Sequence, residues 1–223
     1  MNDYLLIAIL GGLMILVFEP VYLHLCYNPP KKAPVAIQLF FKALATSMAV
    51  IPVIIGYIRK PDAFSLLMLA GISVCLIADV LIGVKFVVGV GAFLLGHLFY
   101  MPAFLSLYDF VWWQSAIIFF AALTLVYFLF RKHFAKAGKL LIPCLIYCVV
   151  LTEMLAIGIP AAVCGGARAI CVPLGAALFF VSDITLARNV FVAKTPLSDT
   201  VSLTFYYAAQ FTLALAVFLP TIA

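Results

Sequence analysis

The sequence predicts an all-α, polytopic membrane bundle of eight transmembrane helices. Three observations predict it. Of 223 residues, 68% are hydrophobic and only 9% are charged, more apolar surface than a soluble domain of this size can bury. The apolar residues fall into eight runs, each of about 20 residues or more, the length a bilayer core asks of a helix. Short clusters of Pro, Gly and charge separate the runs. Lipid offers no partner to an open backbone and the runs are too long for barrel strands, so helices are the expected form.

The first run, 4–26, lies in "MNDYLLIAILGGLMILVFEP" and beyond. It has no basic n-region, carries Asp3 and is too long for a signal-peptide core, so it is expected as a retained first helix. "YNPPKKAP" breaks the chain before the second run, 35–57, and "RKPD" before the third, 63–84. Lys85 stands between the third run and the fourth, 86–107, and "YD" precedes the fifth, 110–130. The longest connection, "RKHFAKAGK", is strongly basic and leads into the sixth run, 138–162; the seventh and eighth cover 167–189 and 199–221. No linker is long enough to separate soluble domains, so residues 1–223 are expected to form one transmembrane domain.

Charge then orients the bundle. Lys31, Lys32, Lys85, Arg131, Lys132, Lys136, Lys139, Arg188 and Lys194 fall in the odd-numbered loops, against Arg59, Lys60 and Arg168 on the other face, nine to three. The positive-inside rule makes the odd-numbered loops cytoplasmic, with both termini outside and an inner-membrane setting expected. The net charge of +5 is therefore topological and implies no nucleic acid. Of six cysteines, Cys26, Cys75, Cys144 and Cys148 are expected to pack in or at the ends of spans. Cys164 and Cys171 flank the loop "CGGARAIC", where either a disulfide or two free thiols fits the spacing.

A faint internal repeat is visible. "AGISVCLIADVLIG" in the third span resembles "GAALFFVSDITLAR" in the seventh. Lys42 precedes Asp79 by 37 residues and Tyr147 precedes Asp183 by 36. Four spans per half would give a parallel 4+4 repeat about an axis normal to the membrane; apolar bias alone produces similar matches.

Ionisable groups inside spans are costly and mark sites by default. Here they are Glu19, Lys42, Asp79, His97, Glu153 and Asp183, joined by Thr46, Tyr100, Tyr147, Ser182, Tyr206, Tyr207 and Gln210. Asp79 lies six residues before Lys85 and Asp183 five before Arg188, so both sit roughly 8–9 Å inside the cytoplasmic boundary. Lys42, Tyr206 and Tyr207 fall in the same half. Lys42 and Thr46, His97 and Tyr100, and Tyr207 and Gln210 share helix faces. Two facing aspartates cannot both ionise cheaply, and a pair sharing one proton beside Lys42 would hold one acid and one carboxylate, the equipment of general acid–base chemistry. The bland alternatives are a structural hydrogen-bonding Asp, a packed His97, a structural or cavity-facing Glu153, and a Glu19 that reaches the cytoplasmic interface beside Pro20. There is no G-x-S-x-G elbow, no H-E-x-x-H and no Gly-rich phosphate loop, and the three histidines are dispersed; neither a metal nor a cofactor is expected.

Five stretches carry a resemblance across nearly the whole chain: "FKALATSM" (41–48), "LIADVLIG" (76–83), "GAFLLGHLFY" (91–100), "GAALFFVSDITLA" (175–187) and "YYAAQFTLAL" (206–215). In this order on eight spans they resemble the YhhN-type membrane family, whose characterised members include lysoplasmalogenases. The family's Lys-Pro-Leu appears as Lys42-Ala43-Leu44, and its Gly-Asp as Ala78-Asp79. The resemblance implies hydrolysis of the vinyl ether of a lysoplasmalogen to a fatty aldehyde and a glycerophospho-headgroup, without a cofactor, with Asp79 and Asp183 catalytic. Vinyl ether cleavage needs an acid for the alkene carbon, a base for water, and negative charge near an oxocarbenium ion. Paired carboxylates supply these for glycosides. Lys42 would hold a carboxylate or the lipid phosphate; Thr46, His97, Tyr100, Tyr147, Ser182, Tyr206, Tyr207 and Gln210 would bind or orient a lysophospholipid. The rival classes are a proton-coupled transporter, which uses the same buried residue types, and a non-catalytic lipid-binding protein.

Overall fold

The computed structural model describes residues 2–27, 33–134 and 137–221. Within them eight helices are long and apolar enough to cross a bilayer: α1 (Asp3–Tyr27), α2 (Val35–Arg59), α3 (Ala63–Val84), α4 (Phe86–Leu105), α5 (Trp112–Phe130), α6 (Gly138–Val163), α7 (Arg168–Phe191) and α8 (Pro196–Phe218). The shortest has 19 residues and the longest 26, about 29 to 39 Å of helix, enough to span a hydrocarbon core upright or tilted. No strand occurs among the described residues. The chain is an integral, multi-pass helical membrane protein. Lys31, Lys32 and Lys136, used above for orientation, lie outside the described residues. Of the other basic loop residues, Lys85, Arg131, Lys132, Lys139, Arg188 and Lys194 mark one end of the bundle, here the basic end; Arg59, Lys60 and Arg168 lie at the opposite, termini end.

Local chemistry sets the helix limits. α8 starts at Pro196, earlier than hydrophobicity alone indicates. The Thr195 hydroxyl accepts from the Ser198 N–H (3.1 Å), and the Ser198 hydroxyl accepts from the Thr195 N–H (3.0 Å). This reciprocal cap precedes a proline whose missing N–H costs nothing at a first turn. In α1, Pro20 has no N–H to give and crowds the preceding turn. The helix widens into a π-helical stretch at Leu13–Phe18, where the Glu19 N–H bonds to the Met14 carbonyl. Glu19 is thereby only 2% exposed and accepts a 2.6 Å hydrogen bond from Thr204 of α8. It does not reach the interface as expected from its place beside Pro20; a neighbouring helix supplies its partner instead.

Six helices pack as a ring, α2–α3–α4–α6–α7–α8 and back to α2, with α8 also touching α3. α1 lies outside against α2 and α8, and α5 lies outside against α6. The neighbours are matched in the two halves of the chain. The two most extensive contacts, α3 on α4 and α7 on α8, are equivalents, as are α4 on α6 and α8 on α2. Gly71 and Gly175, each eight residues before an aspartate, bring these equivalent pairs close. A Cβ on Gly71 would stand 2.5 Å from the Tyr100 ring of α4, and one on Gly175 would stand 2.6 Å from Leu213 of α8. One match fails. α1 leans on α8, but α5 barely touches α4.

Outward faces carry exposed apolar side chains such as Leu16, Ile58, Trp112 and Ile142, as lipid contact requires. All six cysteines are free, including Cys164 and Cys171.

At the termini end, Asp62 caps α3 by accepting from the Ser65 N–H (2.7 Å) and pairs with Arg168 at the start of α7 (2.9 Å). Arg168 also lies 4.2 Å over the Phe64 ring and donates to the Ala216 carbonyl. The pair therefore fastens the two equivalent helices, α3 and α7. Burial works against the charge on Asp62, but hydrogen bonds from Ser65 and the Arg168 guanidinium outweigh it and hold the carboxyl below its ordinary 3.8. A carboxyl lowered on folding stabilises the protein above its unfolded value and loses that contribution as pH falls through its folded value. Asp62→Ala should therefore lower stability at pH 7, about 1 kcal/mol of it from the lost cap. Thermal unfolding in detergent at pH 7 and pH 3 checks this: the gap between wild type and variant should narrow at the lower pH.

Candidate active site

The site is built around Asp79, which is fully buried on α3. One turn apart on α2, Lys42 and Thr46 face it. Lys42 Nζ lies 3.0 Å from Oδ1, and the Thr46 hydroxyl donates to Oδ2 at 2.5 Å. From α8 the Tyr206 hydroxyl donates to the same Oδ2 at 2.6 Å. Oδ2 thus holds two hydroxyl donors, while Oδ1 has the ion pair and, among the described residues, no hydrogen bond. Behind Tyr206 the chain of donors continues. Gln210 Nε2 donates to the Tyr206 hydroxyl (3.2 Å), and the Tyr100 hydroxyl donates to Gln210 Oε1 (2.9 Å). Tyr100 and Gln210 are fully buried and bond to each other, and Gln210 bonds to Tyr206, so they position Tyr206.

The second half repeats the arrangement with different chemistry. Tyr147 of α6 donates to Asp183 Oδ2 of α7 at 2.5 Å. Thus both helix pairs singled out by the 36- and 37-residue spacings meet. Asp183 has no ion pair among the described residues, and its Oδ1 takes no hydrogen bond. The hydrogen bonds and ion pairs of the described residues include none between the two carboxyls; each has its own donors. His97 is fully buried. Its Nδ1 lies 2.6 Å from the Phe93 carbonyl, and its ring packs edge-on against Phe179 and Tyr147. It braces the Tyr147 ring from one side.

Two chambers meet at Asp183. A polar one of about 260 Å³ is bordered by Lys42, Asp79, Ser182, Asp183, Asn189 and Lys194, with Asp199, Ser202 and Tyr206 completing its polar wall. An apolar one of about 450 Å³ lies among α4, α5, α6 and α7 and is walled by side chains such as Leu123, Val126, Leu145 and Leu151, with Tyr147 and Asp183 at its polar edge. Ile82, Phe86, Phe93, Asp183, Leu186 and Val190 border both. Both volumes fall within or near the range of small-molecule sites. The apolar chamber occupies the gap left where α5 stands away from α4.

The remaining residues singled out in the sequence divide clearly. The Ser182 hydroxyl donates to the Ser202 carbonyl (2.9 Å) and Ser202 returns the bond to the Ser182 carbonyl (3.0 Å), a staple between α7 and α8 at the chamber wall. The Tyr207 hydroxyl is buried without a hydrogen-bond partner among the described residues and borders neither chamber. Glu153 is half-buried and also borders neither. Sequence reasoning missed Asn189, Asp199 and Ser202. A signal was present: Asp199, Ser202, Tyr206 and Gln210 follow i, i+3, i+7 and i+11 on one face of α8. Among the described residues, no three His, Cys, Asp or Glu side chains cluster as a metal cage.

A family model described as the YhhN family matches residues 37–217, from the start of α2 nearly to the end of α8. No curated protein and no solved structure matches the chain.

The Lys42–Asp79 contact makes a measurable claim. Removing one partner of a buried ion pair leaves an uncompensated charge, typically at a cost of about 3 kcal/mol or more. Lys42→Met should destabilise the protein by about that amount. The double variant Lys42→Met/Asp79→Asn should lose less than the sum of the two single changes. Unfolding of the four proteins in detergent closes the cycle.

Proposed function

The chain belongs to the YhhN family, and from that premise we propose that it hydrolyses the vinyl ether bond of lysoplasmalogen-like lysophospholipids. The observation that carries the proposal is the junction of a polar and an apolar chamber at Asp183. A single-chain amphiphile suits such a pair of spaces. Its alkenyl chain would fill the apolar chamber, its phosphate and headgroup the polar one, and its ether would lie at the boundary. A headgroup lying toward the basic end accords with entry from the cytoplasmic leaflet.

The charge distribution supports distinct roles. The cation sits on Asp79, so the anion of the pair is assigned to Asp79 and the proton to Asp183. Asp183 protonates the outer alkene carbon, and the ether carbon becomes an oxocarbenium centre. The Asp79 carboxylate stabilises that cation, as preorganised charge does in a dry site. Water adds to the oxocarbenium carbon, and Asp79 Oδ1, the oxygen free of hydrogen bonds, takes its proton. The hemiacetal then collapses. Its hydroxyl proton returns to Asp183, and the departing glycerol oxygen takes the proton held by Asp79. The products are a fatty aldehyde and the glycerophospho-headgroup, and both carboxyls are restored. Lys42, Thr46 and Tyr206 keep Asp79 in place, and Tyr147 orients Asp183.

Purified protein in detergent should release aldehyde from an alkenyl-lysophospholipid. Asp79→Asn and Asp183→Asn should each lower kcat at least about a hundredfold, the usual loss for an acid or base. Asp183→Asn should leave the unfolding midpoint near that of wild type, whereas Asp79→Asn, which strands the Lys42 cation, should lower it. Aldehyde release at the wild-type rate by either variant would remove that residue from the chemistry. No release by the wild-type protein at any pH would sink the hydrolase assignment.

The apolar chamber gives a separate expectation. Leu123→Trp places extra bulk inside it without touching either aspartate. The variant should lose kcat/KM on long-chain substrates and retain more of it on short-chain ones; a chain-length series of substrates measures the ratio. An equal loss for all lengths would place the chain elsewhere.

A further inference from the structure

The basic end of the polar chamber carries a group of side chains that the proposed chemistry does not use. Asn189, near the end of α7, is 8% exposed and borders the chamber. Its amide nitrogen donates toward Asp199 Oδ1 at 3.5 Å, while its Oδ1 is buried with no hydrogen-bond partner among the described residues. A flipped amide would set oxygen against a carboxylate, so the observed orientation is the one Asp199 dictates. Asp199, in the first turn of α8, is also 8% exposed. Its Oδ2 accepts from the Tyr27 hydroxyl at 2.7 Å and lies 3.1 Å from Lys194 Nζ. Lys194 is more than half exposed and borders the same chamber. The mouth therefore presents an exposed cation, a buried carboxylate and a buried acceptor lacking a donor among the described residues.

Leaving a buried amide oxygen unpaired is costly, and this one stands beside a negative charge. The missing partner is a donor, and the adjacent carboxylate favours a charged one. A primary ammonium supplies N–H donors to both; a trimethylammonium supplies none. The exposed lysine beside them matches a phosphate one short linker away. Resting on the lysophospholipid assignment above, we propose that Asn189, Asp199 and Lys194 form a headgroup subsite that selects a phosphate ester bearing a primary ammonium over one bearing a quaternary ammonium. Lys194 takes the phosphate, and Asn189 Oδ1 with Asp199 takes the ammonium. Sites built to hydrogen-bond a donor reject analogues that lack it, because their own polar groups are then left unpaired.

Two measurements on the full-length protein in detergent separate this subsite from the chemistry. The first is calorimetric binding of saturated alkyl-lysophospholipids, which lack the vinyl ether and are not cleaved. The ethanolamine form should bind about tenfold to a hundredfold more tightly than the choline form, the range for hydrogen bonds to a charged group. Glycerophosphoethanolamine, with no chain, should bind far more weakly than the lysolipid; equal binding would identify a site for the free headgroup instead. The second is aldehyde release from the two matching alkenyl substrates. In Asn189→Leu and in the isosteric Asp199→Asn the ethanolamine-to-choline ratio should fall toward unity in both measurements. The Asp199 variant keeps the test open if the Asn189 variant does not fold. Equal binding of the two headgroups by wild type, or an unchanged ratio in folded variants, overturns the subsite even if aldehyde is released. A binding preference without aldehyde release upholds the subsite and overturns the hydrolase.

Discussion

A carboxylate with no exposure survives in an apolar bundle only where other helices bring it compensating groups. Asp79 meets that condition with a cation and a hydroxyl from α2 and a second hydroxyl from α8. Three helices are thereby tied at one point. The tie also fixes rotation, because Lys42 and Thr46 reach the carboxylate together only with one face of α2 turned inward. The same rotation of α8 that presents Tyr206 carries Gln210 toward Tyr100 of α4. The polar contact thus reaches a fourth helix, and the polar chamber opens beside it.

The two halves share a framework and differ in content. In each, the second helix of the half supplies a donor to an aspartate on the third. In the first half the donor is a lysine, and the carboxyl borders the polar chamber alone. In the second it is a tyrosine, and the carboxyl lies at the seam of two chambers. The apolar chamber owes its existence to the other difference, the stance of α5. Where α1 leans on α8 in the first half, α5 stands away from α4 in the second. Matched packing therefore supplies the paired carboxyls, and the mismatch supplies room for a chain beside only one of them. Two like residues acquire unlike surroundings, a pattern typical of acid–base pairs.

Much of this was legible in the sequence because few physical alternatives compete in a membrane. Eight apolar runs have no other economical form, and a span that holds Lys42 or Asp79 must turn it toward a partner. The pairing of Lys42 with Asp79 and of Tyr147 with Asp183 follows from spacing once the spans are counted. Depth is legible; azimuth is less so. Tyr206 and Tyr207 are adjacent, and only packing decides that Tyr206 reaches Asp79 while Tyr207 points elsewhere. His97 looks like a site residue by type, yet its Nδ1 is engaged by its own helix at Phe93 and its ring by aromatic neighbours. The apolar chamber was beyond reach, since a face lining a cavity and a face touching lipid use the same side chains. Asn189 and Asp199 fell near span ends, where polar residues are expected and attract no notice.

The distribution of packing bears on the choice between an enzyme and a transporter. A transporter must open its central site alternately to both sides, and its irregular backbone lines the path. Here the polar network ends at Tyr100 and Gln210. Toward the termini end lie Phe104, Met154, Val172 and Leu213, each with no exposed surface. The Gly71 and Gly175 approaches draw α3 onto α4 and α7 onto α8 within the same half. Opening that half would separate the two most extensive helix contacts and part the Asp62–Arg168 link at its rim. The basic half has the opposite character, with cavities, an exposed lysine at the mouth and a helix that stands off from its neighbour. A site closed on one side and entered from the other suits a lipid that arrives from one leaflet, reacts and leaves the same way. On the proposed reading, the closely packed half holds Tyr206, and through it Asp79, in place while a substrate exchanges at the other end.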